Sequence, residues 1–145
     1  MGRKAFYIIL AGLILSLVPA AKAQGPVSPN TLTGQFVGIG NVTTNSLALQ
    51  FMLSGCGANL PTINGNYVLV PTQVNYYADP ATGIVSGLIW PNDKITCGTV
   101  TGATQYRMVM ILNNIPQGPP VCYSIPSTPS VFNVNTAATV QCAGT

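Results

Sequence analysis

Asp79, Asp93, Lys94 and Arg107 are the charged side chains beyond the first 23 residues, and with the tyrosines and four cysteines they hold most of the reactive chemistry available. The sequence has no His, and its two acids are both Asp. A Ser–His–Asp triad, a Cys–His nucleophile and a histidine metal site are therefore excluded. Two carboxylates about 5–9 Å apart can hydrolyse a glycosidic bond. Here Asp79 precedes one strand and Asp93 follows it, and a strand of about seven residues spans more than ~20 Å, too far for one substrate. Asp79 before Pro80 reads as a turn starter. Asp93 beside Lys94 reads as a solvated loop pair. The run from Asn59 to Asn66 lacks the carboxylates that calcium needs. The expectation is a chain with no catalytic residues, no cofactor and no metal.

Binding of a neutral sugar is the chemistry these residues serve better. Trp90, Tyr76, Tyr77, Tyr106 and Tyr123 offer flat apolar faces, and Asn64, Asn66, Asn75 and Asn92 offer amides. Trp90 and Tyr106 also suit a core. Adjacent residues of a strand face opposite ways, so Tyr76 and Tyr77 cannot both be buried on one face. The candidate ligand contacts are Tyr76, Tyr77, Trp90 and Tyr123.

Cys56, Cys97, Cys122 and Cys142 are even in number and lie well past the apolar N-terminal run of Ala5 to Val18, which predicts two disulfides. They contain no CxxC knuckle, and without His a zinc site is not expected. If successive strands alternate in direction, Cys56 and Cys97 fall at one end of the domain and Cys122 and Cys142 at the other. That parity favours Cys56–Cys97 and Cys122–Cys142 over the two remaining pairings.

The compartment follows from the N-terminus. Arg3 and Lys4 precede an uncharged run from Ala5 to Val18, and Ala21-Lys22-Ala23 forms a small-residue cleavage site before Gln24. The run is short against the roughly 20 residues of a bilayer span. Residues 1–23 read as a cleaved signal peptide, so the mature domain is expected outside the cytoplasm, secreted, at a cell surface or in a periplasm, without stable membrane insertion. Arg3, Lys4 and Lys22 leave with it, so the basic pI of about 8.8 belongs to the leader. The remainder carries two charges of each sign, which gives no footprint for nucleic acid. So few charges favour association, because net charge keeps proteins apart in solution. Asn41-Val42-Thr43 is an N-glycosylation sequon.

Beyond the leader the apolar runs are short, alternating and rich in β-branched and aromatic residues, with Gly, Pro and Asn between them. Residues 24–33 read as an extended segment. Strands are predicted at Gly34 to Gly40, Ser46 to Leu53, Tyr67 to Tyr77 with a break at Pro71, Ile84 to Trp90, Thr104 to Leu112, Val121 to Ile125 and Val131 to Val134, with a short one near Ala138 to Cys142. The stretches around Cys56 and Cys97 read as loops. Thr104 to Leu112 is apolar on both faces past Arg107, which predicts a central strand. Residues 34–145 thus form one all-β domain, a Greek-key sandwich of about seven strands stapled by two disulfides.

The order of Gly34 to Gly40, Leu47 to Leu53, the Asp79-Pro80-Ala81-Thr82-Gly83 turn, Ile84 to Pro91 and Tyr106 to Leu112 resembles prealbumin-like, carboxypeptidase-regulatory-like extracellular modules. The turn holds one residue more between Asp79 and Gly83 than those modules show. The resemblance covers Thr33 to Leu112 and implies a non-catalytic extracellular module. Together with the scarcity of charge, it points to a structural or adhesive module that self-associates by strand addition; the alternative is a carbohydrate-binding module.

Overall fold

The computed structural model describes residues 26–37, 46–67 and 73–143. The predicted signal peptide, the sequon at Asn41, the end of the first predicted strand at Gly40 and the break at Pro71 lie outside them. The described chain is all-β, with one turn of 3-10 helix at Asn92–Lys94.

Twelve strands follow in order: β1 Asn30–Gln35, β2 Leu47–Ser54, β3 Pro61–Ile63, β4 Asn66–Tyr67, β5 Val74–Tyr77, β6 Ile84–Ile89, β7 Thr96–Cys97, β8 Val100–Thr101, β9 Gln105–Leu112, β10 Ile115–Pro116, β11 Val121–Tyr123 and β12 Val131–Asn133. They form three sheets. One runs β12-β1-β6; a second runs β10-β9-β2-β5, with β11 also on β9; a small third runs β4-β3-β7-β8. β5 leads into β6 through the Ala78↔Val85 bridge, and β9 returns to the far side of β2. That return is the Greek-key order.

The alternation in the sequence explains the two large layers. Leu47, Leu49 and Phe51 of β2 point inward with Tyr106 and Met108 of β9. From the other layer come Leu32 of β1, Val85 and Ile89 of β6 and Phe132 of β12, all buried in the same core. Aromatic rings pack within and between the layers: Phe51 meets Tyr76 and Tyr106 of its own sheet edge-on at 5.7 and 6.2 Å, and Tyr123 meets Phe132 of the other sheet edge-on at 5.3 Å. Such geometry sets a ring's positive edge against its neighbour's negative face. β9 is central, as its two apolar faces predict, lying between β2 and the pair β10 and β11.

The first strand begins earlier than predicted. β1 spans Asn30–Gln35 and lies in the middle of its sheet, antiparallel to β6 and parallel to β12. The segment before it is also tied down: Val27 N–H donates to Asn64 Oδ1 at 3.0 Å, and Asn64 Nδ2 donates to the Val27 carbonyl at 3.1 Å. Asn64 and Gly65, both at positive φ, make the turn between β3 and β4 that presents this amide. The stretches around Cys56 and Cys97 are only partly loop, because they also contribute β3, β4, β7 and β8.

Both disulfides are bonded in the pairing that strand parity favours. Cys56–Cys97 ties the loop after β2 to β7, with Cα atoms 5.1 Å apart. Cys122–Cys142 holds the C-terminal segment against β11, with Cα atoms 5.2 Å apart, and the neighbouring Cys122↔Val140 bridge extends that contact. The closed loops, 41 and 20 residues in separation, correspond to about 4 and 3 kcal/mol on the chain-entropy account. Disulfides of this kind belong to an oxidising, extracellular-type environment. Among the described residues, no helix is long and apolar enough to cross a membrane.

Candidate functional site

Both acids serve the fold. Asp79 Oδ1 accepts from the N–H groups of Ala81 and Thr82, at 3.0 and 2.8 Å, and from Thr82 Oγ1 at 2.9 Å. These donors, Thr82 foremost, hold its carboxyl below the ordinary value, and they fix the turn that feeds β6. Asp93 lies at the other end of β6. Read from the sequence as half of a solvated loop pair with Lys94, it also binds across the fold: Ser127 N–H and Oγ both donate to it at 3.0 Å.

Beside it, Asn92 is 1% exposed. Its Nδ2 donates to the Thr104 carbonyl and its Oδ1 accepts from Ile125 N–H. Its own N–H donates to the Ile125 carbonyl at 2.9 Å, and Thr104 Oγ1 returns a bond to its carbonyl at 3.3 Å. Asn92 and Asp93 thus clasp three segments around the 3-10 turn. A buried amide so fully used cannot serve a ligand.

The aromatic candidates separate in the same way. Tyr123 is 4% exposed and packed edge-on to Phe132 in the core, with its hydroxyl donating to the Val134 carbonyl at 3.5 Å, so no ring face remains for a sugar. This corrects its assignment as a ligand contact. Tyr106 is buried as well, and burial pushes its phenol well above the ordinary 10, with Tyr76 adding to the effect. Trp90 is half-buried against the core. Tyr76 is half-buried, edge-on to Phe51, and its hydroxyl donates to the Leu88 carbonyl at 2.7 Å. Burial raises its pKa. Tyr77 is 69% exposed on the opposite face of β5, as the alternation requires. Near it Gln50 Nε2 donates to Asn75 Oδ1 at 3.2 Å.

Arg107 stands on β9 opposite Cys122 of β11 and Met52 of β2. Its Nε is buried without a hydrogen-bond partner among the described residues. Nor do any three His, Cys, Asp or Glu side chains among those residues gather as a set able to hold a metal ion.

What remains open is surface. The outer face of the β12-β1-β6 sheet is set by the ladder register. Val131, Thr31 and Leu88 form one row; Asn133, Thr33 and Ser86 a second; Gln35 and Ile84 a third. Leu88, Val131 and Ile84 are 64%, 52% and 41% exposed, and no residue of the three rows carries a charge. Two recesses border this sheet. One, about 490 Å³, is lined by residues including Thr33, Gln35, Asn133 and Asn135. The other, about 350 Å³, runs beside β12 between Pro126, Pro129 and Ala137, with Asn30 and Phe132 also in its wall.

The sequence signalled none of this face, because Thr, Ser and Gln on the solvent side of a strand read the same whether or not anything covers them. No protein-family model, no curated protein and no solved structure matches the chain in the comparisons made.

Proposed function

We propose that the chain is an exported, non-catalytic structural module that associates through its sheet surface. The uncharged outer face of the β12-β1-β6 sheet carries this reading, with three exposed aliphatic side chains set among Thr, Ser, Asn and Gln. A contiguous apolar and neutral face of this kind suits a protein contact, because burying it strips no ion of water. The commitment of Asp79, Asp93 and Asn92 to turns and clasps supports the non-catalytic part, as does the likeness to prealbumin-like modules. Light scattering on the oxidised protein, with residues 1–23 removed, tests the reading: mass should rise above the monomer as concentration increases. A monomer throughout the range would end it.

A carbohydrate-binding module is the second reading, and the exposed ring of Tyr77 beside the Gln50–Asn75 amide pair favours it. A glycan array separates the two. Binding that disappears in a folded Tyr77→Ala variant speaks for the module, and a silent array removes it.

A further inference from the structure

We infer that β12 is a self-pairing edge, on which a second copy of this chain adds its own β12 antiparallel across a two-fold axis at Val131. This rests on the associating-module reading and adds to the outer face a distinct contact, the edge of the same sheet. Ser130 C=O and Val134 N–H face β1, bonding Thr31 N–H at 2.8 Å and the Thr33 carbonyl at 2.9 Å. Main-chain groups alternate along a strand, so those of Val131 and Asn133 face away from β1. The Asn133 carbonyl is already taken by the N–H groups of Thr136 and Ala137, at 3.2 and 2.9 Å. The N–H and C=O of Val131 and the N–H of Asn133 have no partner among the described residues. They border the cleft of about 350 Å³, which leaves room beside the edge.

Three features select a second copy as the occupant. First, the unmet groups are a donor and an acceptor on one residue and a donor two residues on, the pattern that another strand completes. Second, a two-fold contact brings each residue against itself or its symmetry partner, so a charged edge would repel its own copy. Neither β12 nor any residue lining the cleft is charged. Third, the register closes. With Val131 opposite Val131 the two exchange both bonds, and Asn133 falls opposite Pro129. Pro129 has no N–H and needs no acceptor, while the Asn133 carbonyl opposite it needs no donor. The carbonyl of Pro129 accepts a 3.4 Å bond from Asn30 Nδ2 and keeps a second lone pair for Asn133 N–H. The outer-face row Leu88–Thr31–Val131 then continues into its copy, joining two three-stranded sheets into one.

Charge at the axis tests this on the oxidised full domain. The side chain of Val131 is 52% exposed, so Val131→Lys and Val131→Asp should fold as the parent does, checked by thermal melting. Each alone should weaken dimerisation on the order of 100-fold by placing like charges face to face. Mixing the two should restore a dimer containing one of each, seen by native mass spectrometry. If the parent dimerises and Val131→Lys dimerises equally well, or if the mixture stays monomeric, the edge assignment falls while the associating-module reading stands. A parent that is monomeric at every concentration overturns both.

Discussion

The two flanks of the three-stranded sheet are built from the same neutral residue types yet are finished differently. On the β6 side the flank is covered at both ends. The Ala78↔Val85 bridge carries the chain from β5 into β6, Asp79 N–H donates to the Ile84 carbonyl at 2.8 Å, and the Tyr76 hydroxyl reaches the Leu88 carbonyl at 2.7 Å. On the β12 side the N–H and C=O of Val131 and the N–H of Asn133 meet nothing among the described residues, while the Asn133 carbonyl is held by Thr136 and Ala137. Neither flank uses a Lys or an inward charge, the usual guards of an edge. One is shut by a turn and a tyrosine, and the other is left open beside a cleft. The difference locates association chemistry on one side of a molecule whose composition is equally neutral on both.

The largest expected effect comes from the clasp that positions the open flank. Asn92→Ala removes the amide that joins Thr104 and Ile125, leaving a buried carbonyl and a buried N–H unpaired. Each orphaned group costs roughly 1–3 kcal/mol, so chemical denaturation should show a loss of about 3 kcal/mol or more. The segment it anchors, through Ile125 and Ser127, leads directly to β12. Cooperative association should therefore fail with stability in this variant.

Gly87→Ala attacks the closed flank. A methyl at Gly87 would overlap Cδ1 and Cε1 of Tyr76, so the ring that caps β6 must move. Overpacking of this kind costs about 1–3 kcal/mol. Removal of the Tyr76 cap should also speed amide exchange along β6, measured by hydrogen–deuterium exchange, while the amides of β12 that face β1 keep their protection. Equal loosening of both flanks would erase the asymmetry between them.

How far the sequence foretold these flanks differs from strand to strand. β2 is legible because its alternation of Leu47, Leu49 and Phe51 with Ala48 and Gln50 has one physical cause, a single buried face, whereas β6 and β9 are legible as short runs rich in β-branched and other apolar residues between turn residues. The disulfides were legible too, since strand direction alone brings Cys56 to the Cys97 end. β1 was misplaced because its inward residues are Asn30, Leu32 and Gly34, and only one of these is an apolar signal. Asn30 is buried because its Nδ2 reaches the Pro126 carbonyl at 2.7 Å, a partner 96 positions away that no local pattern reveals. The same holds for Asn92, whose amide looked suited to a sugar until Ile125 was brought against it. β3, β4, β7 and β8 are two or three residues each, too short to show a period. Tyr123 is ambiguous in the sequence because a tyrosine at a strand end fits a core and a ligand platform equally well, and the ring of Phe132 decides it.

Tyr76→Phe is a gentler probe of the closed flank. It keeps the ring against Phe51 and deletes the bond to Leu88, for a loss of about 1 kcal/mol. It also alters the alkaline limb of stability. Burial raises the Tyr76 pKa above the ordinary 10.0, so the folded state favours the neutral phenol. That contribution is complete below pH 10, falls as pH rises past it, and is lost through the raised folded value. The melting temperature of the parent should drop over that range, and the drop should be shallower in Tyr76→Phe. Identical alkaline limbs would mean that the hydroxyl plays no part in closing β6.

Val131→Pro should have the smallest effect on the monomer and sets the sharpest contrast with the flank across the sheet. Proline removes an N–H and is tolerated on edge strands where that N–H bonds nothing. At Val131 no bond within the described chain is lost, so unfolding free energy in a dilute, monomeric sample should change by less than about 0.5 kcal/mol. Amide exchange supplies the matching map. Phe132 and Val134, whose N–H groups face β1, should be protected at every concentration. Val131 and Asn133 should exchange quickly when dilute and slow down as the parent associates. In Val131→Pro, Asn133 should stay fast at all concentrations, because the missing donor removes both bonds at the axis. Slow exchange at Val131 in dilute monomer would place a partner on that N–H within the chain, and the two flanks would then be closed alike.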